Sequence, residues 1–267
     1  MKNGIDSFNK LIGRSKRGES AISNDGHPDI SSDYVFCSIS HTGNVREKNE
    51  DSILASQSSI FYSGKDIKYI YASVADGLGG LKNGEKASYL ATTRAFAYFV
   101  ENISFLGDGV EPHRVLEKAM RRASSAIDEI NCKKDKNDMM ASTLTIGLVF
   151  KDTLYYSHSG DCRIIKFGQK MDFINKSHRV PKGNQIYSCL GIEREFEMDS
   201  GYSPIEKGQS ILICSDGLTD MLEDAVIKNI VKANQRDPEV VCSNLLQEAL
   251  KNGGRDNISI IYIYRKN

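Results

Sequence analysis

From Tyr34 onward the chain is built of short apolar-rich runs: YVFCSIS, SILASQ, IKYIYASVA, STLTIGLVF, TLYYSHSG, CRIIKFG, QSILICS and ISIIYIY. β-branched and aromatic side chains dominate them and turn residues bound them, which is the pattern of strands. The joins in FKDTLYY and SGDCRII are short enough for hairpin turns, so these strands are expected to lie antiparallel to their sequence neighbours. Helical spacing appears over residues 84–103, through Ala87, Leu90, Ala91, Phe96 and Phe99. It recurs over 112–131, where Val115, Leu116, Ala119, Met120, Ala123, Ile127 and Ile130 follow the i, i+3, i+4 rule and Pro112 suits the first turn. Shorter helices are expected near 223–233 and 238–251, the second opened by Pro238. Strands, two long helices, strands, then helices and a last strand predict an α+β domain whose sheets are sandwiched by helices.

Residues 1–33 lack this patterning. They are rich in Ser, Gly, Asn and Asp and carry five basic and five acidic side chains without period, so a flexible N-terminal arm is expected, followed by one domain over 34–267. A chain of 267 residues buries enough surface to fold without staples. Its 35 basic and 35 acidic residues cancel, which removes any global pull toward nucleic acid or anionic lipid. The six cysteines are scattered with no C-x-x-C pair and read as free thiols of a reducing compartment. No apolar run has the length of a membrane span, and the expected location is cytoplasmic.

The chemistry begins at VADGLGGLKNGE, residues 74–85, where an acid and four glycines stand between a strand and a helix. A phosphate-cradling loop would need lysine where Glu85 stands, and a dinucleotide fingerprint would need glycine at Lys82. The competing reading is a divalent metal held by acids at strand ends. Asp76 and Gly77 close one apolar run, Asp216 and Gly217 close another in ILICSDGL, Asp256 opens a third in GGRDNISIIYIY, and Glu50 with Asp51 lies in GNVREKNED. Hard cations such as Mg²⁺ and Mn²⁺ take carboxylate and carbonyl oxygens. Taken singly, each Asp-Gly pair reads as turn chemistry; several such acids in one fold would repel unless cations joined them. Arg46, four residues before Glu50, reads as a surface charge or as a fork gripping phosphate.

In order, GNVREKNED, VADGLGGLKNGE, STLTIGLVF, SGDCRIIKF, SCLG, LICSDGLTDML and GGRDNISIIYI resemble the successive motifs of the metal-dependent serine/threonine protein phosphatases of type 2C, from about residue 36 to 264. The resemblance implies a four-layer α-β-β-α sandwich of two antiparallel sheets with a binuclear Mn²⁺ or Mg²⁺ centre at one end. It places Asp76 as the bridging carboxylate, Gly77 as a carbonyl ligand, and Asp216 and Asp256 on the second metal. Glu50 and Asp51 fall on an acidic pair beside the cluster, Arg46 on the phosphate-binding arginine, Asp161 on an acid of a third, weaker metal, and Asn257 beside the last ligand. Leu78 stands where some members carry a histidine. Only QKMDFINKSHRVPKGNQIYS separates CRIIKFG from the leucine-glycine motif, so the family's flap is strongly shortened, and His178 reads either as the family's histidine of that region or as a loop histidine without a role.

What the resemblance implies functionally is direct hydrolysis of phosphoserine and phosphothreonine in proteins, opposing a Ser/Thr kinase, with no nucleic-acid or membrane partner. The rival readings are a catalytically inactive scaffold of the same fold that binds a phosphoprotein partner, and a nucleotide-binding protein.

Overall fold

In the computed structural model the described residues are 33–78, 83–135, 138–180, 185–192 and 196–267. The arm expected over 1–33 lies outside them but for its last residue, as do Gly79 and Lys82 of the glycine-rich loop. Period-two alternation sorts the strands into two sheets. The strands are β1 (Tyr34–His41), β2 (Asp51–Tyr62), β3 (Lys65–Asp76), β4 (Leu144–Phe150), β5 (Thr153–Ser159), β6 (Arg163–Phe167), β7 (Met171–Phe173), β8 (Asp199–Pro204), β9 (Ser210–Cys214) and β10 (Ile258–Arg265). One sheet runs β1-β10-β9-β6-β7 and the other β2-β3-β4-β5-β8; every pairing is antiparallel.

The helices cover the outer faces. They are α1 (Gly84–Asn102), α2 (Pro112–Asn131), the single turn α3 (Asp216–Thr219), α4 (Asp224–Asn234) and α5 (Pro238–Lys251), so the four helices expected from spacing form within a residue or so of their predicted ends. Successive residues of a strand point to opposite faces, and the core divides accordingly. In β3, Tyr69, Tyr71 and Ala75 pack under α1 and α2 beside Phe99, Leu116 and Met120. The intervening Ile70, Ala72 and Val74 meet Ile211, Ile213, Ile261 and Ile263 of the facing sheet. In β10, Ile258, Ile260 and Tyr262 turn the other way, toward Val241, Leu245 and Ala249 of α5. Three apolar interlayers between four layers make the α-β-β-α sandwich that was expected.

Two joins set the ends of the sandwich. Between β4 and β5, Lys151 and Asp152 both take positive φ (49° and 59°), the mirror-image turn that a two-residue hairpin prefers, so FKDTLYY behaves as predicted. The SGDCRII join does not: β5 pairs with β4 and β8, whereas β6 pairs with β9 and β7 in the other sheet. Gly160, at φ 121° against Thr143, turns the chain across the layers instead of back along its own sheet. That crossover carries Asp161 to the end of both sheets. Two strands were missed, β7 because it is three residues long and β8 because DSGYSP has no apolar run and ends in proline.

Ile213→Ala is expected to cost about 2–5 kcal/mol, since the side chain is fully buried between the sheets. Phe61→Ser at the β2–β3 hairpin tip, 77% exposed, is expected to stay within about 0.5 kcal/mol. Urea midpoints at unchanged slope check both.

Candidate active site

The acids meet where the ends of β2, β3 and β9 come together. Asp51 and Asp76 are directly opposite in the β2–β3 ladder, so one begins and the other ends a strand at the same edge. The backbone of Asp76 is bolted to β4: its N–H donates to Thr143 Oγ1 (2.9 Å), and its carbonyl accepts from Ser142 Oγ (2.9 Å) and Thr143 N (2.8 Å). Asp216 begins α3 directly after β9, and Asp161 comes from the sheet-to-sheet crossover. Single oxygens of Asp76, Asp161 and Asp216 all lie within 4.8 Å of one another.

Glycine lets the backbones close on this point. A Cβ at Gly77 would run into the Gly84 carbonyl at the start of α1 and approach the Glu50 carbonyl to 2.8 Å; one at Gly217 would collide with the Asn257 carbonyl. The Gly77 N–H in turn donates to the Glu50 carbonyl (3.1 Å). The glycines after the two acids therefore serve close approach of chain to chain.

Asn257 organises the segment bearing Arg46 and Glu50. Its Nδ2 donates to the carbonyls of Thr42 (2.8 Å) and Lys48 (2.9 Å), and its Oδ1 accepts from Glu50 N (2.8 Å). Asp256 does not share the tight group of three acids. Its Oδ2 accepts from Arg46 Nη2 at 2.8 Å, and its Oδ1 accepts from Asn257 N at 2.8 Å. Its charge still reaches the cluster, contributing to the raised pKa values of Asp51, Asp76, Asp216 and Glu50.

Burial and mutual repulsion dominate the electrostatics. Burial first, then the charges of Asp51, Asp216 and Asp161, hold Asp76 well above the usual carboxylate range. Asp216 is raised well above it by burial and by Asp161 and Asp220. Asp51 is pushed up to about 6 by burial, although Ser215 Oγ donates to its Oδ2 at 2.8 Å. Asp161, 3% exposed, is raised by burial against the opposing pull of Arg179. Three buried oxygens, Oδ1 of Asp51, Asp161 and Asp216, have no hydrogen-bond partner among the described residues. Raised carboxyls with unsatisfied buried oxygens are what a divalent cation neutralises, so the donor set fits Mn²⁺ or Mg²⁺. Burial also pushes the neighbouring thiols upward, Cys162 far and Cys214 to about 12, which keeps them neutral packing residues.

Two participants were not predicted. Arg179 Nε and Nη2 donate to Asp161 Oδ2 (3.1 and 2.9 Å), its Nη1 donates to both oxygens of Asp220 (2.9 and 3.0 Å), and its Nη2 also donates to Asp216 Oδ2. Asp220, four residues after Asp216 in SDGLTDML, had a usable signal, since that spacing puts two acids on one side of a helical turn. Arg179, a single arginine in a polar loop, had none. His178 is 2% exposed; its ring packs against His158 and Tyr187, and its Nδ1 accepts from Gly160 N at 3.1 Å.

This arrangement can be set beside known proteins. The serine/threonine phosphatase stp of Listeria innocua is 25% identical over 248 residues, 84% of this chain and 92% of that one. In structure the chain resembles the serine/threonine phosphatase of S. agalactiae (TM-score 0.73, 22% identity, covering 87% of this chain and 100% of that one). It also resembles the catalytic domain of the phosphatase PstP in complex with two manganese ions (TM-score 0.71, 24% identity, covering 88% and 99%). The family model for protein phosphatase 2C matches residues 46–250, a span that takes in Arg46, Glu50, Asp51, Asp76, Asp161 and Asp216 and stops short of Asp256. On a match of that extent, well over half of its sequence, this chain belongs to the protein phosphatase 2C family.

Proposed function

We propose that the protein is a metal-dependent serine/threonine protein phosphatase that hydrolyses phosphoserine and phosphothreonine in proteins at the acid cluster. The observation that carries the reading is the gathering of the Asp51, Asp76, Asp161 and Asp216 carboxyls from four separate segments, with Oδ1 of Asp51, Asp161 and Asp216 lacking a hydrogen-bond partner among the described residues. Asp76, with Asp216, Asp256 and the Gly77 carbonyl, is assigned to hold two Mn²⁺ or Mg²⁺ ions, and Glu50 and Asp51 complete the surround. When bound, such ions supply an acidified water and positive charge against the phosphoryl oxygens.

The chain's own residues do the rest. Asp51 and Asp76, half-buried side by side, hold their protons more tightly than free carboxyls, so binding of cations there would be coupled to release of those protons. Arg46, with its side chain 41% exposed, is paired with Asp256 through Nη2 alone among the described residues, which leaves donors of its fork to take phosphate oxygens. Asn257 keeps the Arg46 segment in place through its three bonds. Retention of Asp76, Asp216 and Asp256 supports an enzyme over an inactive scaffold. The proposed partner is a phosphorylated protein whose modification a Ser/Thr kinase installs. A cytoplasmic location is supported by the six free cysteines; no helix among the described residues is long and apolar enough to cross a membrane.

Asp216→Asn is expected to lower Mn²⁺-dependent hydrolysis of an aryl phosphate and of a phosphothreonine peptide by at least about 100-fold, with circular dichroism unchanged. Full activity in that variant would refute its assignment as a ligand. A second expectation concerns pH. A carboxyl whose pKa is higher in the fold than unfolded adds stability below its unfolded value, near ~4, and that stability is lost as pH rises through the folded value, about 6 for Asp51. The chelated protein should therefore lose thermal stability from about pH 4 to pH 7. Saturating Mn²⁺ binds the deprotonated form, so the gap in Tm between Mn²⁺ and chelator should widen over the same interval by several degrees. A gap independent of pH in differential scanning fluorimetry would contradict the assignment.

A further inference from the structure

We infer that Arg179 is a built-in cation on the Asp161 side of the cluster, standing where a third divalent ion would need its ligands, so that this chain loads two ions and excludes a third. The inference rests on the metal-dependent reading above. One guanidinium there serves three carboxylates: Oδ2 of Asp161 through Nε and Nη2, both oxygens of Asp220 through Nη1, and Oδ2 of Asp216 through Nη2. An ion using the same oxygens would stand within a few ångströms of a fixed positive charge in a poorly solvated place, and the two are mutually exclusive. Arg179 is nonetheless compatible with a two-ion core. It takes Oδ2 of Asp161 and of Asp216 and leaves Oδ1 of each without a partner among the described residues, and its recorded partners are Asp161, Asp216 and Asp220.

The placement is built into the short segment that follows β7. Ile174 N donates to the Ile164 carbonyl (2.8 Å); Asn175 spans Cys162 O (2.9 Å) and Ile164 N (2.6 Å). His178 and Gly160 are joined twice, His178 N to Gly160 O at 2.7 Å and Gly160 N to His178 Nδ1 at 3.1 Å. Under that joint lies His158, whose Nε2–H donates to the Gly160 carbonyl (2.9 Å) and whose Nδ1 accepts from Thr145 Oγ1 (2.7 Å). Tyr187 N donates to the His178 carbonyl (2.9 Å). Arg179 and its target Asp161 are thus each one residue from the doubly bonded His178–Gly160 pair and are held as a unit. The side chain is 21% exposed, too enclosed to swing out without abandoning three acids.

The test is the number of Mn²⁺ ions bound at saturation, counted by calorimetry and by native mass spectrometry, on the full chain and on Arg179→Met and Arg179→Lys. The expected counts are two for the wild type, two for Arg179→Lys, which keeps the charge, and three for Arg179→Met, the added ion binding at least ~10-fold more weakly than the first two, as fits a site at the rim of the cluster. Three ions in the wild type, or two in a folded Arg179→Met, would overturn the inference while leaving the phosphatase reading intact. No uptake by the wild type would remove both. Should Arg179→Met not fold, nuclear magnetic resonance of the wild-type Arg179 Nε–H decides. Its protection from solvent exchange should persist at saturating Mg²⁺, and its loss on saturation would show that an ion displaces the guanidinium.

Discussion

Asp51, Asp76, Asp161 and Asp216 bring like charges into a space that burial has largely emptied of water, and carboxyls so placed must either keep their protons or acquire cations. Apolar replacement would stabilise such a site and also erase its chemistry. The protein instead surrounds the acids with partial remedies. Ser215 donates to Asp51, Arg46 neutralises Asp256, and Arg179 neutralises the outer oxygens of Asp161 and Asp216. Oδ1 of Asp51, Asp161 and Asp216 is left without a donor among the described residues. Stability and cation binding are therefore one quantity in this molecule, linked through the same ionisations.

Holding repelling groups together needs a frame that cannot relax. The two sheets supply it, because their interlayer is filled with branched side chains in close contact and does not deform gradually. Onto it the loops are fastened by backbone approaches that only glycine permits: Gly77 on Gly84, Gly217 on Asn257, and Gly43, at φ 83°, on Asp256. The last two of these contacts join segments far apart in sequence, and all three lie within two residues of an assigned acid or of Asn257.

Most of the frame was legible in the chain because its signals are local. Alternation in IKYIYASVA and ISIIYIY, and the 3.6 spacing of residues 112–131, report burial residue by residue, and the elements follow. The strand-end acids were legible too, since Asp76 and Asp216 close apolar runs and are followed by glycine. What failed was long-range. A three-residue connection looks the same whether it turns back along a sheet or crosses to another, and only the packing of Gly160 on Thr143 decides it. Arg179 was invisible for the same reason, as nothing near it in sequence records that the next loop residue is locked to the Asp161 turn. Asp256, read with Asp216 as a ligand of the second metal, stands with Arg46 outside the tight group of three, and no local signal records that spacing.

The two arginines at the cluster show how enclosure sorts identical chemistry into different work. Arg46 holds one carboxylate through one nitrogen with 41% of its side chain exposed, so trading that bond for a phosphate oxygen costs little desolvation and lets the fork keep a charge partner throughout. Arg179 holds three carboxylates through all its nitrogens at 21% exposure. Although burial acts to lower its pKa, the charges of Asp216, Asp161 and Asp220 outweigh that and raise it further. Removing it would strand several desolvated negative charges at once, a far larger penalty than any single new contact could offset. A side chain under that constraint cannot exchange partners during turnover. It is fixed charge, part of the field in which the exposed arginine and the substrate meet.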